Sequence, residues 1–381
     1  MIFNSVSYLL FLLIVVVLYW IIGNNRLRIS MLFLASLVFY GFWRIDFIPL
    51  IIFSAFIDYY AAIKIYESPK HNTKLFYLIC SMLINLGLLF YFKYTLFFFQ
   101  SVEYSMNLFG YQIHMPHPDI ILPLGISFST FQSLSYTIDT YRGLIVPERN
   151  FLTYNAFVDF FPQLIAGPVL RGNEVLEPIN HRPPIDWVKI GVGLRRILFG
   201  LFLKVGLADN IASFVDDGFA VDPNLLGPID VITLAFLFGF QIYFDFSAYS
   251  HLAVGTAKLM GIDFPENFNF PYLSVSPKEF WKRWHISLSS WIRDYLYLPL
   301  VGKTGGRRSV GGLGDVVDDQ RRSLNILPLF ITWSVMGLWH GANWTFVCWG
   351  VYHALLITIY RLILPFSSKL PSIIKRFGGW A

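Results

Sequence analysis

The chain has 381 residues, 55% of them apolar, 18% aromatic and only 14% charged. A soluble domain carries about 25% charged residues, and one this apolar would expose large hydrophobic patches to water, so a water-soluble protein is excluded. The net charge of +5 suits basic cytoplasmic loops of a membrane protein better than nucleic-acid binding.

The first residues, Met1 to Ser5, lack a basic signal-peptide start. No small-residue cleavage site follows the apolar run that ends near Ile22, so that run is expected to be a retained first span. Crossing the hydrocarbon takes about 20 apolar residues as a helix. In chain order the candidate spans are Val6–Ile22, Ile29–Trp43, Phe47–Ile63, Leu75–Phe92 and Ile120–Ile138. Val188–Leu207, Ile229–Phe246, Ile326–Leu338 and Thr345–Leu364 follow, while Ala156–Leu170 is interrupted by Pro and Gly. The expected fold is all-α and polytopic, with about nine to eleven membrane-embedded helices, some of them short, re-entrant or interfacial. Residues 1–381 read as a single membrane domain. Cys80 and Cys348 both lie in apolar runs and offer no disulfide framework or metal spacing.

Orientation follows from the basic residues. Arg26 and Arg28 lie in the first loop and Lys64, Lys70 and Lys74 in the third, whereas the 100–118 loop has neither Lys nor Arg. The positive-inside rule then predicts an extracytoplasmic N-terminus. The stretch Gly302–Asn325, with Lys303, Arg307, Arg308, Arg321 and Arg322, is expected in the cytoplasm. Its Gly302-Lys303-Thr304 resembles a phosphate-binding loop, but Tyr297 stands where the first glycine is required. A flexible loop is the better reading.

Ionisable groups are costly in a membrane and mark function by default; three clusters carry them. The first is Gly337-Leu338-Trp339-His340-Gly341-Ala342-Asn343-Trp344. A helix starting at Ile326 would place His340 about 21 Å along it, below either surface of the bilayer. A neutral imidazole can accept a proton, and the glycines allow close approach by a substrate or another backbone. A histidine in an interfacial aromatic belt, or one bonded to a helix carbonyl, is an equally plain reading of the residue type.

The second cluster runs from Phe280 to Tyr295. Trp281, Trp284, Leu288, Trp291 and Tyr295 recur at helical spacing, opposite Lys282, Arg283, Arg293 and Asp294. This predicts one amphipathic interfacial or re-entrant helix, whose Arg283 suits an anionic donor or lipid phosphates. His285 borders the aromatic face. The third cluster centres on Asp245, at the end of an apolar run from Val231. An unpaired carboxylate there is expensive, so Asp245 is expected to cap a broken helix, pair with an arginine or line a water-filled cavity. No Gly-x-Ser-x-Gly elbow or His-Glu-x-x-His zinc pair occurs.

With these clusters in view the chain resembles the membrane-bound O-acyltransferase (MBOAT) family, in its bacterial alginate O-acetylation branch. The matching residues are Pro123 to Phe128, Phe161 to Pro168, Tyr243 to Ser247, Pro265 to Asn269, Phe280 to Tyr297 and Gly337 to Asn343. The resemblance implies a ring-like helical fold, thin at its middle, in the bacterial cytoplasmic membrane. It implies His340 as catalytic base and His285 as the second histidine, which orients it, binds the donor or relays protons. Beside these, Asp245, Trp339, Asn343 and Arg283 are the candidates for substrate or donor binding that the residues themselves offer. The donor is a thioester such as acetyl-CoA, acting as substrate, with no bound cofactor or metal. The acceptor is an exported polysaccharide such as alginate, and a separate periplasmic acetyltransferase is the expected partner. Peptidoglycan O-acetylation and teichoic-acid D-alanylation are alternatives on the same fold; a proton-coupled transporter is the alternative of another class. Two departures stand out: Ala248 and His251 occupy positions where the branch commonly has Gly and Asp, and alginate-type relatives usually continue through more helices beyond the last span.

Overall fold

The computed structural model describes residue 1 and residues 3–165, 167–303 and 326–367, and every regular element among them is helical. The basic stretch expected in the cytoplasm lies, beyond Lys303, outside the described residues. In chain order the helices are α1 (Val6–Ile21), α2 (Asn25–Gly41), α3 (Ile48–Glu67), α4 (His71–Leu89) and α5 (Thr95–Leu108). Next come α6 (Ile126–Tyr141), α7 (Phe151–Val158), α8 (Gly172–Asn180), α9 (Trp187–Leu201), α10 (Asp209–Ala220) and the long α11 (Pro228–Leu259). The last five are α12 (Pro277–Arg283), α13 (Ile286–Ile292), the three-residue α14 (Leu298–Leu300), α15 (Ile326–His340) and α16 (Trp344–Ser367).

Five helical stretches among the described residues are long and apolar enough to cross a membrane: 45–67, 71–108, 187–220, 228–259 and 344–363. Two more, α1 and α15, are apolar but shorter. Several predicted spans change shape. Leu75–Phe92 grows into one 38-residue helix, because a π-turn at Phe90–Tyr94 fuses α4 to α5. A second π-turn, Phe202–Ala208, joins α9 to α10. The interrupted Ala156–Leu170 stretch becomes the short α7 and a run of turns.

The chain forms two compact units, each discontinuous in sequence: residues 1–56 with 148–267, and residues 57–147 with 268–381. In the first unit α9 and α11 meet through small residues. A Cβ on Gly193 would lie 2.9 Å from Gly255 O, and one on Gly200 2.9 Å from Ala248 O. Glycines at such spacings let two helix backbones touch where lipid offers no hydrophobic drive. Polar groups pin α1 to α11, through Tyr8 Oη to Thr256 Oγ1 at 2.8 Å and Trp20 Nε1 to Leu259 O at 3.0 Å. Arg182 donates to the carbonyls of Tyr19, Trp20 and Ile22, closing the C-terminus of α1, whose last carbonyls have no partners inside the helix.

In the second unit Asp58 of α3 is fully buried and accepts from Ser81 Oγ at 2.5 Å and Asn85 Nδ2 at 2.7 Å on α4. Apolar surroundings leave a carboxyl group no water, so hydroxyl and amide donors from the neighbouring helix take its place. α6 is buried on most of its circumference despite its Ser and Thr content; it is an interior helix.

Candidate active site

The second unit holds both histidines implied as catalytic, brought together around one tryptophan. His340 is the last residue of α15 and keeps an exposed surface. Its ring meets Trp339 at 4.9 Å and Trp349 of α16 at 5.2 Å, edge-on in both cases. His285, by contrast, is 1% exposed, with its ring centroid 6.5 Å from that of Trp339. The two imidazoles are near enough to interact electrostatically. One histidine is therefore open to a reactant, and its neighbour is enclosed.

The glycines about His340 serve α16. A Cβ on Gly337 would fall 2.1 Å from Phe346 O, one on Gly341 2.1 Å from the Phe346 ring, and one on Gly350 2.1 Å from Trp333 O. The close approach foreseen from these glycines is thus by the next helix of the same chain. Asn343 caps that helix: its Oδ1 accepts from Thr345 N at 3.0 Å and from Thr345 Oγ1 at 3.1 Å, satisfying a first-turn N–H that has no helical partner. Trp339 sits in a stack, with Phe131 at 5.1 Å and Trp291 a further 4.0 Å from Phe131. Trp291 Nε1 donates to Phe131 O at 2.9 Å. These contacts fix the wall against which both histidines lie.

The region around His285 corrects the single amphipathic helix expected from Phe280 to Tyr295. The helix breaks: α12 ends at Arg283, His285 adopts φ +43° and ψ 54°, and α13 begins at Ile286. A third π-turn follows at Arg293–Tyr297. Left-handed backbone is uncommon outside glycine and is found at functional sites. Of the aromatic residues expected at an interface, Trp281, Trp291 and Tyr295 are interior instead, at 2%, 6% and 9% exposed, and Trp284 is half-buried. Arg283 pairs with Glu279 at 2.6 Å and donates to Asn269 O at 3.3 Å. Glu279 also accepts from Val275 N; that hydrogen bond first, then Arg283, hold its carboxyl below the usual range.

Asp245 belongs to the first unit. It lies within the unbroken α11, and its partner is Lys204 at 2.7 Å, not an arginine or a helix cap. Lys204, in the π-turn after α9, also holds Asp209 at 2.7 Å.

Two site residues emerge only from the structure. Lys93, in the π-turn between α4 and α5, bonds to Trp339 O and lies over the Trp339 ring. His353 of α16 packs among Trp281, Trp333 and Trp349, at 5.0, 5.4 and 4.6 Å. Each was visible as an ionisable residue in an apolar run, the same signal that marked His340. Beside Trp339 lies a cavity of about 500 Å³, walled by Leu86, Phe90, Tyr94, Phe98, Phe131, Val335 and Leu338 among others. Its walls suit hydrocarbon and offer little to phosphates. Among the described residues no group of three His, Cys, Asp or Glu side chains is placed to hold a metal ion.

Comparison with known proteins bears on this geometry. Residues 146–313 match the family model of MBOAT, the membrane-bound O-acyltransferase family. The probable alginate O-acetylase AlgI of Pseudomonas aeruginosa is 40% identical over 95% of this chain and 66% of its own length. The peptidoglycan O-acetyltransferase of Helicobacter pylori is 34% identical over 92% of this chain and 67% of its own. The teichoic acid D-alanyltransferase of Bacillus subtilis is 30% identical over 68% and 65%. The chain thus spans about two thirds of the length of these relatives.

Proposed function

Because this chain belongs to the membrane-bound O-acyltransferase family, we propose that it moves an acetyl group from a cytoplasmic thioester toward an exported polysaccharide. The observation that carries the reading is the pairing of an exposed His340 with an enclosed His285 about Trp339. A thioester is already activated, so the protein must chiefly deprotonate a hydroxyl and hold the two reactants together. His340 takes the hydroxyl proton as oxygen attacks the thioester carbonyl. The tetrahedral intermediate then expels the thiolate, which recovers the proton from the imidazolium. A positioned base supplies about 10²–10⁴-fold, and approximation adds to it. His285 orients the open imidazole through the shared aromatic wall.

Acetyl-CoA is the donor that this reading favours. Alginate is the favoured acceptor, since relatives named for its acetylation reach 40% identity against 34% for the peptidoglycan enzyme. A separate extracytoplasmic acetyltransferase completes the transfer, and the chain lies in the cytoplasmic membrane with its N-terminus outside. The test is reconstitution of the chain in vesicles with labelled acetyl-CoA, the extracytoplasmic acetyltransferase and alginate oligosaccharides. Release of CoA with ester formation is expected. Solute counterflow without thioester consumption would replace this reading with a transporter.

A further inference from the structure

The C-terminal turn of α15 is held by two consecutive side chains from another helix. Lys93 Nζ donates to Trp339 O, and Tyr94 Oη donates to Leu338 O at 3.1 Å. The last four carbonyls of any helix lack intrahelical donors, and in a bilayer water does not replace them. Here two of those four are satisfied by the π-turn Phe90–Tyr94, inside an otherwise regular 38-residue helix. π-turns of this kind recur at functional sites. The ammonium also sits where the negative end of the α15 dipole favours a cation. It contacts Ser127 Oγ on α6 at 3.5 Å and lies 5.4 Å from the centre of the Trp339 ring. The residue that follows Leu338 and Trp339 is His340.

We propose that Lys93 and Tyr94 are positioning residues for His340: the π-turn exists to clamp the final turn of α15 and so to aim the imidazole. The proposal rests on His340 acting as the base. Lys93 is half-buried beneath that turn and needs no contact with substrate to act. An apolar side chain would fill the same space, yet leave the Trp339 carbonyl without a donor and the helix end without its counter-charge.

The test uses the full chain in lipid nanodiscs, with Lys93→Met, Tyr94→Phe, Lys93→Arg and His340→Ala. Hydrogen exchange of the peptide covering residues 338–343 should speed up on the order of tenfold in Lys93→Met, and less in Tyr94→Phe, which loses a neutral hydrogen bond. Exchange in α9 and α11 should stay as it was. With acetyl-CoA, kcat should fall by up to about 10²-fold at unchanged KM, and Lys93→Arg should recover part of it. Unchanged exchange at 338–343, or wild-type kcat in both Lys93→Met and Tyr94→Phe, overturns the proposal. So does faster exchange throughout the chain in both variants, which marks a merely structural pair. Full activity in His340→Ala overturns the base assignment instead, and exchange still reports on the clamp.

Discussion

His340 and His285 differ in what surrounds them more than in distance from the chemistry. An exposed imidazole on a helix end can meet a hydroxyl; an imidazole at 1% exposure can only act on its neighbours. The backbone of His285 makes its own prediction. At φ +43° Asn is tolerated, whereas a β-branched residue is strained by about 1–3 kcal/mol. His285→Asn should therefore melt close to wild type while losing most transfer activity, and His285→Val should melt markedly lower. Equal melting of the two, measured in detergent, would show that the left-handed turn carries no strain. Glu279 gives a pH dependence of known sign. Its carboxyl is held low in the fold, so its contribution is present above the unfolded value of about 4.3. That contribution is lost as pH falls through the lower folded value. Glu279→Gln should flatten the acid limb of a melting-temperature profile.

At the scale of elements, the glycines of α15 and α16 rank themselves. Gly337→Ala drives a Cβ against a backbone carbonyl of Phe346, whereas Gly341→Ala meets only the ring of that residue. Backbone cannot swing aside, but a ring that is 41% exposed can. Gly337→Ala should cost about 1–3 kcal/mol by overpacking and displace His340. Gly341→Ala should cost less, and thermal melts of the two variants check the order. A reversed order would contradict the described contact between the helices. The Lys204–Asp245 pair yields a second contrast. Lys204→Met strands two carboxylates, Asp209 and Asp245, and should lower the melting temperature; adding Asp245→Asn should recover part of the loss.

These elements show where the sequence was legible. Apolar runs disclosed α1, α15 and α16 nearly to their ends, because length and hydropathy decide which segments span a bilayer, while the Ile229–Phe246 run stopped well short of the end of α11 at Leu259. Helical periodicity also placed Trp281, Leu288 and Trp291 on one side, but it could not show that this side is interior. It missed the break at His285 because a left-handed residue is imposed by packing and leaves no mark in periodicity. The π-turns were hidden for a related reason: an extra residue in a helical turn changes no composition. Their lone cations, Lys93 and Lys204, were the available signal.

On the scale of the whole molecule, this is a multi-pass membrane protein whose two units each have their own packing logic. The first is a close-packed helix group secured by small residues and the Lys204 ion pairs. The second gathers His285, His340 and His353 among tryptophans. Exposed residues such as Val6, Leu10, Leu13 and Ile14 of α1, at 58–73%, need hydrocarbon around them, so the chain should partition wholly with membranes and require detergent for extraction. The proposed orientation predicts that a cysteine placed at the N-terminus is labelled by an impermeant maleimide in intact cells. The central claim, that His340 is the base for acyl transfer, is tested most directly by His340→Ala in cells that acetylate their exported polysaccharide. Polymer-bound acetyl should vanish while the amount of protein in the membrane is unchanged. Normal acetylation by that variant would contradict the account.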